Sequence, residues 1–227
     1  MVRKEFEDKA VLEAALTKEI LEALQLSVEK KGKASVLFSG GSTPEGLLRG
    51  LAKSSLNWAN VKVGLVDDRL VPANHEDSNS LMLHHSFLDL IEERKPYFFP
   101  LVFSENRDLN FELALSSVDK LGIPDVVILG MGNDGHFASL FPNDDASNQG
   151  LVELFASPLI YTRAPVEPKN RISHTWPYLR CAGRIFLHIT GKAKLDVIDG
   201  STVRSEELPI DHVLKDRAVK TEIFWAP

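Results

Sequence analysis

The sequence predicts an α/β fold: a mostly parallel, doubly wound sheet with helices on both faces. Three observations predict it. Short apolar runs of strand type alternate with helical patterns along the chain. A glycine-rich turn leads from the first such run straight into a helix that begins with proline. No internal repeat, low-complexity tract or Gly/Ser linker divides the 227 residues, so residues 1–227 are expected to form one domain.

The elements follow in order. From Asp8 onward, Val11, Leu12, Ala15, Leu16, Ile20, Ala23 and Leu24 recur at spacings of three and four, an amphipathic helix over 8–31 with Asp8 as its cap. Strand-type runs occupy 35–38, 61–66, 125–129, 159–162, 184–190 and 221–225. Residues 44–53 read as a helix with Thr43 as N-cap and Pro44 at the first position, where its missing N–H is not needed. Residues 78–95 and 110–121 are also helical in pattern. Ligands of open α/β sheets bind beyond the carboxyl ends of the strands, which directs attention to the loops after Phe38, Val66 and Leu129.

Composition narrows the function classes. With 26 basic and 32 acidic residues the formal charge is −6, which disfavours a nucleic-acid or anionic-membrane partner. Cys181 is the single cysteine, so no intrachain disulfide or paired-thiol motif is expected. No uninterrupted apolar run exceeds four residues, and charges at Arg3, Lys4, Glu5, Glu7 and Asp8 occupy the place where a secretory signal needs apolar residues. The expectation is a cytoplasmic protein. Its oligomeric state is left open, a monomer being compatible with everything here.

The loop Ser39-Gly40-Gly41-Ser42-Thr43-Pro44 joins a strand to a helix start. Its glycines allow close backbone approach, its hydroxyls add donors, and the helix dipole favours an anion, which together suit a phosphate. No Gly-Lys-Ser/Thr follows, so it is not a nucleotide P-loop. Ser42 resembles the serine of a nucleophile elbow, but Pro44 replaces the glycine that such a turn requires, and Ser42 is discounted as a nucleophile.

In the second loop, Asp67-Asp68-Arg69 can position a polyhydroxylated substrate, with the guanidinium facing an anionic centre. The triplet reads equally as a salt bridge closing the loop. In the third, Gly130-Met131-Gly132-Asn133-Asp134-Gly135 formally matches a dinucleotide fingerprint. Pro142, however, leaves no room for the long helix the fingerprint needs. His136, two residues after Asp134 on a glycine-rich loop, is placed for general acid/base chemistry. Arg171 and Lys194 lie near strand edges and can complete a phosphate site, although taken one at a time each reads first as a solvated surface charge.

Together, Ser39 to Pro44, Asp67-Asp68-Arg69-Leu70-Val71-Pro72 with His75 and Asp77-Ser78-Asn79, and the run from Leu129 through Asp134-Gly135-His136 to Pro142 resemble the 6-phosphogluconolactonases. The resemblance continues through Arg171-Ile172-Ser173, Thr190-Gly191 with Lys194, and Trp225-Ala226-Pro227. It implies a Rossmann-like fold shared with the related glucosamine-6-phosphate deaminases and hydrolysis of a sugar-phosphate lactone. His136, Asp134 and Arg69 would then be catalytic. Ser39, Gly40, Gly41, Ser42, Thr43, Asp67, Asp68, Arg171 and Lys194 would bind substrate. No metal or organic cofactor is expected.

The deaminases carry a glutamate five residues after the histidine, where this chain has Phe141, so lactone hydrolysis is expected over deamination. A silent sugar-phosphate sensor is the remaining alternative, which the presence of His136 with Asp134 disfavours. Three positions differ from the usual lactonase pattern: Asp68 stands in place of glutamate, Phe137 in place of a small residue, and His174 in place of an apolar one.

Overall fold

The computed structural model describes residues 2–201 and 206–227. The chain runs β1 (Val2–Glu5), α1 (Lys9–Lys31), β2 (Ala34–Phe38), α2 (Glu45–Ala52), β3 (Val61–Leu65), β4 (Asp67–Arg69), α3 (Asn79–Ser86), β5 (Tyr97–Phe99), α4 (Arg107–Leu121) and β6 (Val126–Leu129). It continues α5 (Asp145–Leu151), β7 (Leu159–Arg163), β8 (Asn170–His174), α6 (Trp176–Leu179), β9 (Arg184–Thr190), α7 (Lys192–Ile198), α8 (Pro209–Lys215) and β10 (Thr221–Ala226).

Seven strands form a parallel sheet in the order β1-β10-β9-β6-β2-β3-β5. After the edge strand β1 the chain crosses to the centre at β2, builds outward through β3 and β5, then returns to β6 on the other side and builds outward through β9 and β10 to meet β1. The reversal lies between β2 and β6. Their carboxyl ends therefore diverge into loops that leave a crevice, the place where open α/β sheets bind ligands. The two sheet faces carry separate apolar clusters: Phe38, Ile128, Phe186 and Phe224 on one, and Leu37, Val127, Leu187 and Ile223 on the other.

α1 forms as its periodicity requires. Leu12, Leu16, Ile20 and Leu24 make a fully buried stripe, and the Asp8 carboxylate accepts from the Val11 N–H at 2.8 Å. Such a cap stabilises by about 1 kcal/mol. Three expectations need correction. Thr43 does not cap α2: Pro44 holds the cap position and no side-chain hydrogen bond closes it. The helix expected over 78–95 ends at Ser86, because Phe87 leaves helical geometry (φ −145°, ψ −64°) to bury its ring against Phe38 and Trp58. The run at 159–162 does not join the parallel sheet. As β7 it pairs antiparallel with β8, which pairs antiparallel with β4. A short connection such as the one from β7 to β8 permits only an antiparallel pair, since a parallel one needs a long crossover.

Candidate active site

The loops after β2 and β6 and the small sheet β4-β8-β7 enclose a cleft of about 340 Å³ at the carboxyl end of the parallel sheet. Ser39 to Thr43, Asp67, Arg69, His136, Arg171 and Lys194 all line it. The sequence separates these residues by up to about 150 positions; the topology collects them.

The His136 loop is shaped by close approach. The imidazole Nδ1 lies 2.6 Å from Asp134 Oδ1, and the same oxygen accepts from the His136 backbone N–H at 3.2 Å. A Cβ on Gly132 would lie 2.3 Å from the His136 ring, so only glycine lets this turn fold over its own histidine. Burial tends to raise the Asp134 carboxyl, but the hydrogen bond and charge of His136 outweigh it and its pKa falls below the ordinary value. With Nδ1 engaged by Asp134, Nε2 is the nitrogen left for chemistry in the cleft. Phe141 packs its ring 4.8 Å from the imidazole.

The phosphate-type loop presents an uncommitted surface. None of the N–H groups of Gly40, Gly41, Ser42 or Thr43 bonds within the described residues, nor do the Ser42 and Thr43 hydroxyls. Gly41 sustains this at φ +87°, which side chains rarely adopt. Ser39 is a correction. Its hydroxyl donates to Ile128 O at 2.9 Å and accepts from Gly130 N at 3.0 Å, so it clamps the two loops together and has no proton left for a ligand.

The acidic triplet divides. Asp67 lines the cleft, with Oδ2 accepting from Ser139 Oγ at 2.5 Å. Asp68 does not reach the cleft, contrary to its expected substrate contact. It is fully buried, accepting from the N–H groups of Arg69, Asn79 and Ser80 and from Ser80 Oγ at 2.7–3.2 Å. Alternation along β4 explains this: consecutive residues face opposite sides of a strand. Burial pushes Asp68 up to about 6 against the lowering effect of those donors.

Arg69 and Arg171 are register partners across β4 and β8, and both line the cleft. The Arg69 guanidinium donates to Asp77 O. Arg171 is 6% exposed, its Nε is buried without a partner, and no ion pair involves its side chain among the described residues. Burial first and the neighbouring Arg69 charge second lower its pKa, against the raising effect of the nearby carboxylates of Asp67, Asp68 and Asp77. Two like charges held side by side in this way call for an anion between or above them. Lys194, in the first turn of α7, is half-buried, with its pKa lowered by burial.

A profile described as glucosamine-6-phosphate isomerases/6-phosphogluconolactonase matches residues 7–225. The chain belongs to this family. It is 34% identical over 227 residues to the 6-phosphogluconolactonase of Rhizobium meliloti (strain 1021), spanning 98% of this chain and 97% of that protein. To the 6-phosphogluconolactonase of Pseudomonas putida it is 34% identical over 225 residues, spanning 98% and 92%. The crystal structure of a 6-phosphogluconolactonase from Shewanella baltica OS155 superposes with a TM-score of 0.92 at 31% identity, covering 100% of this chain and 98% of that one.

The three departures from the lactonase pattern of this family all lie behind the cleft wall. Asp68 holds the start of α3, Phe137 is fully buried with its ring edge-on to Trp176, and His174 is buried and stacked on Tyr178 at 4.6 Å. Burial drives His174 down to about 3, a neutral structural ring. Sequence reasoning missed three cleft residues as site candidates. Ser139 holds Asp67. Asn79 donates from Nδ2 to Asp67 O at 2.9 Å. His188 of β9 lines the cleft, and its signal was a lone histidine among the apolar residues of that strand's interior.

Proposed function

We propose that this protein is a 6-phosphogluconolactonase, hydrolysing 6-phosphoglucono-1,5-lactone to 6-phosphogluconate in the second step of the oxidative pentose phosphate pathway. The observation that carries the reading is that one cleft holds both the His136–Asp134 couple and a set of cations and amides uncommitted to the protein. In this reading the substrate phosphate lies against the amides of Gly40 to Thr43 and the hydroxyls of Ser42 and Thr43. Arg171 and Lys194 supply charge. That anchoring brings the lactone carbon C1 to His136.

Nε2 of His136 takes a proton from water as the water oxygen bonds to C1, and the carbonyl electron pair moves onto its oxygen, where Arg69 faces it. When the carbonyl re-forms, the bond from C1 to the ring oxygen breaks and the imidazolium returns its proton to that oxygen. One water is added and no charge is left on the ring. Asp134 holds the imidazole orientation and stabilises its charged form. Asp67 offers its remaining carboxylate oxygen to the sugar hydroxyls.

Phe141 supports hydrolysis over deamination, since it sets an apolar ring against the imidazole where the deaminases carry an acid. Among the described residues no helix is long and apolar enough to cross a membrane. The cytoplasm is the proposed compartment, a reducing one that suits a single cysteine, and cell fractionation tests it. The activity is tested by proton release from freshly generated 6-phosphogluconolactone above the spontaneous rate. His136→Ala is expected to lose about 10²–10⁴-fold in kcat. No acceleration by the wild type, with ammonia released from glucosamine 6-phosphate, would overturn the proposal.

A further inference from the structure

His188 lies in the cleft wall, yet no group among the described residues hydrogen-bonds to its ring. The side chain is 2% exposed, and both Nδ1 and Nε2 are buried without a hydrogen-bond partner among the described residues. A buried polar group left in this way is costly, and proteins retain such groups where water or a ligand completes them. An apolar residue would fit the strand better: its neighbours Leu187 and Ile189 are buried, and its register partner on β10 is Phe224.

The surroundings of the ring show where a partner would come from. Leu129 pairs with Leu187, so the next position along that register sets Gly130 beside His188. Gly130 carries no side chain, a Cβ there would meet nothing nearer than Ser39 Cβ at 3.9 Å, and His188, Gly130 and the loop that begins at Ser39 line the same cleft. Phe224 closes the opposite side. The charged groups felt at the ring are Lys9, at the start of α1, and Lys194, on α7, and no carboxylate opposes them. Burial first, then these two ammonium groups, push His188 down to about 4, so at neutral pH it is an uncharged ring with one N–H to donate.

We propose that His188 is a further substrate-binding residue, donating a ring N–H to the phosphate group of the substrate alongside Lys194 and the Gly40–Thr43 loop. The inference rests on the proposed function for the placement of the phosphate end of the substrate. It assigns to this strand a contact that is made by geometry two strands away from the phosphate loop.

The test pairs kinetics with a direct probe. His188→Leu is expected to raise KM for 6-phosphogluconolactone about 10-fold or more, with kcat changing far less, because a hydrogen bond to a charged group is worth roughly 10–150-fold in affinity. Unphosphorylated glucono-1,5-lactone should be turned over with a kcat/KM that hardly differs between the two proteins, and His188→Gln should recover part of the loss. An equal loss toward both lactones overturns the proposal and makes His188 a packing residue. In the intact wild type, titration with inorganic phosphate should shift the His188 ring nitrogen resonances saturably, assigned by their loss in His188→Gln. Unmoved ring resonances overturn the contact, whether or not the loop amides move. Lactone hydrolysis with an unmoved ring would leave the proposed activity standing, whereas a moved ring without hydrolysis would remove the activity and keep the contact.

Discussion

The two acids of the second loop and the cleft cations Arg171 and Lys194 sit in opposite hydrogen-bonding circumstances. Asp67 and Asp68 are satisfied from within: five hydrogen bonds from Ser139, Arg69, Asn79 and Ser80 reach their carboxylates. Arg171 and Lys194 have no hydrogen bond or ion pair to their side chains among the described residues, although one is buried and the other half-buried. A protein folded for stability alone would reverse this, since an unpaired buried charge is among the most costly groups to retain. On the satisfied side Asp68 is architecture, while Asp67 also lines the cleft. In the proposed function, the unsatisfied side is where the anionic substrate supplies what the protein withholds.

That contrast can be broken by exchanging its consequences. Asp68→Ala strands two backbone N–H groups at the start of α3 and that of Arg69 in β4, and should cost about 2–5 kcal/mol of stability in urea melts. The KM of the surviving folded protein should hardly change. A large KM effect at unchanged stability would place Asp68 in the site after all. Arg171→Leu should do the opposite. It should lose roughly 10–150-fold in kcat/KM for the phosphorylated lactone, equivalent to about 1.5–3 kcal/mol, with a Tm held or raised because an unpaired buried charge has gone. A fall in Tm would show that the guanidinium is structural.

Smaller effects sharpen the comparison. Lys194→Met, at a half-buried charge, should weaken kcat/KM for the phosphorylated substrate by about 10-fold and leave the unphosphorylated lactone unaffected. Equal losses on both would exclude a phosphate contact. The smallest effect is a pH dependence. Because burial raises Asp68 to about 6 in the folded protein, the folded state takes up a proton before the unfolded chain does as pH falls. Its contribution to stability therefore grows on acidification and is lost as pH rises through about 6. The stability difference between wild type and Asp68→Asn should increase by about 1 kcal/mol from pH 7 to pH 5. A difference that shrinks instead would mean that the four donors outweigh burial.

The His136 loop shows what short-range pattern can reveal. Asp134 and His136 are two residues apart on one glycine-rich turn, so their contact is set almost wholly by local chemistry, and it was legible from the chain. α1 was legible for the same reason, through a cap and a stripe of period close to 3.6. The short edge strands β1 and β5 left no comparable signal: most of β1 is exposed and β5 has three residues. Thr43 failed as a cap because α2 begins one residue later than expected, with Pro44 at the cap position, and the Ser39 hydroxyl failed as a ligand donor because a distant carbonyl, Ile128 O, claimed its proton.

By itself, the sequence determined the α/β class, the three loops that build the cleft and the acid–base couple, because periodicity and turn chemistry act over roughly ten residues. Only the tertiary structure decided which of two adjacent aspartates faces the cleft, that Arg69 and Arg171 lie side by side, and that His188 lines the same cleft as the loop after β2. Those outcomes depend on the register between strands far apart in the chain. A shift of one residue in that register turns every side chain to the other face.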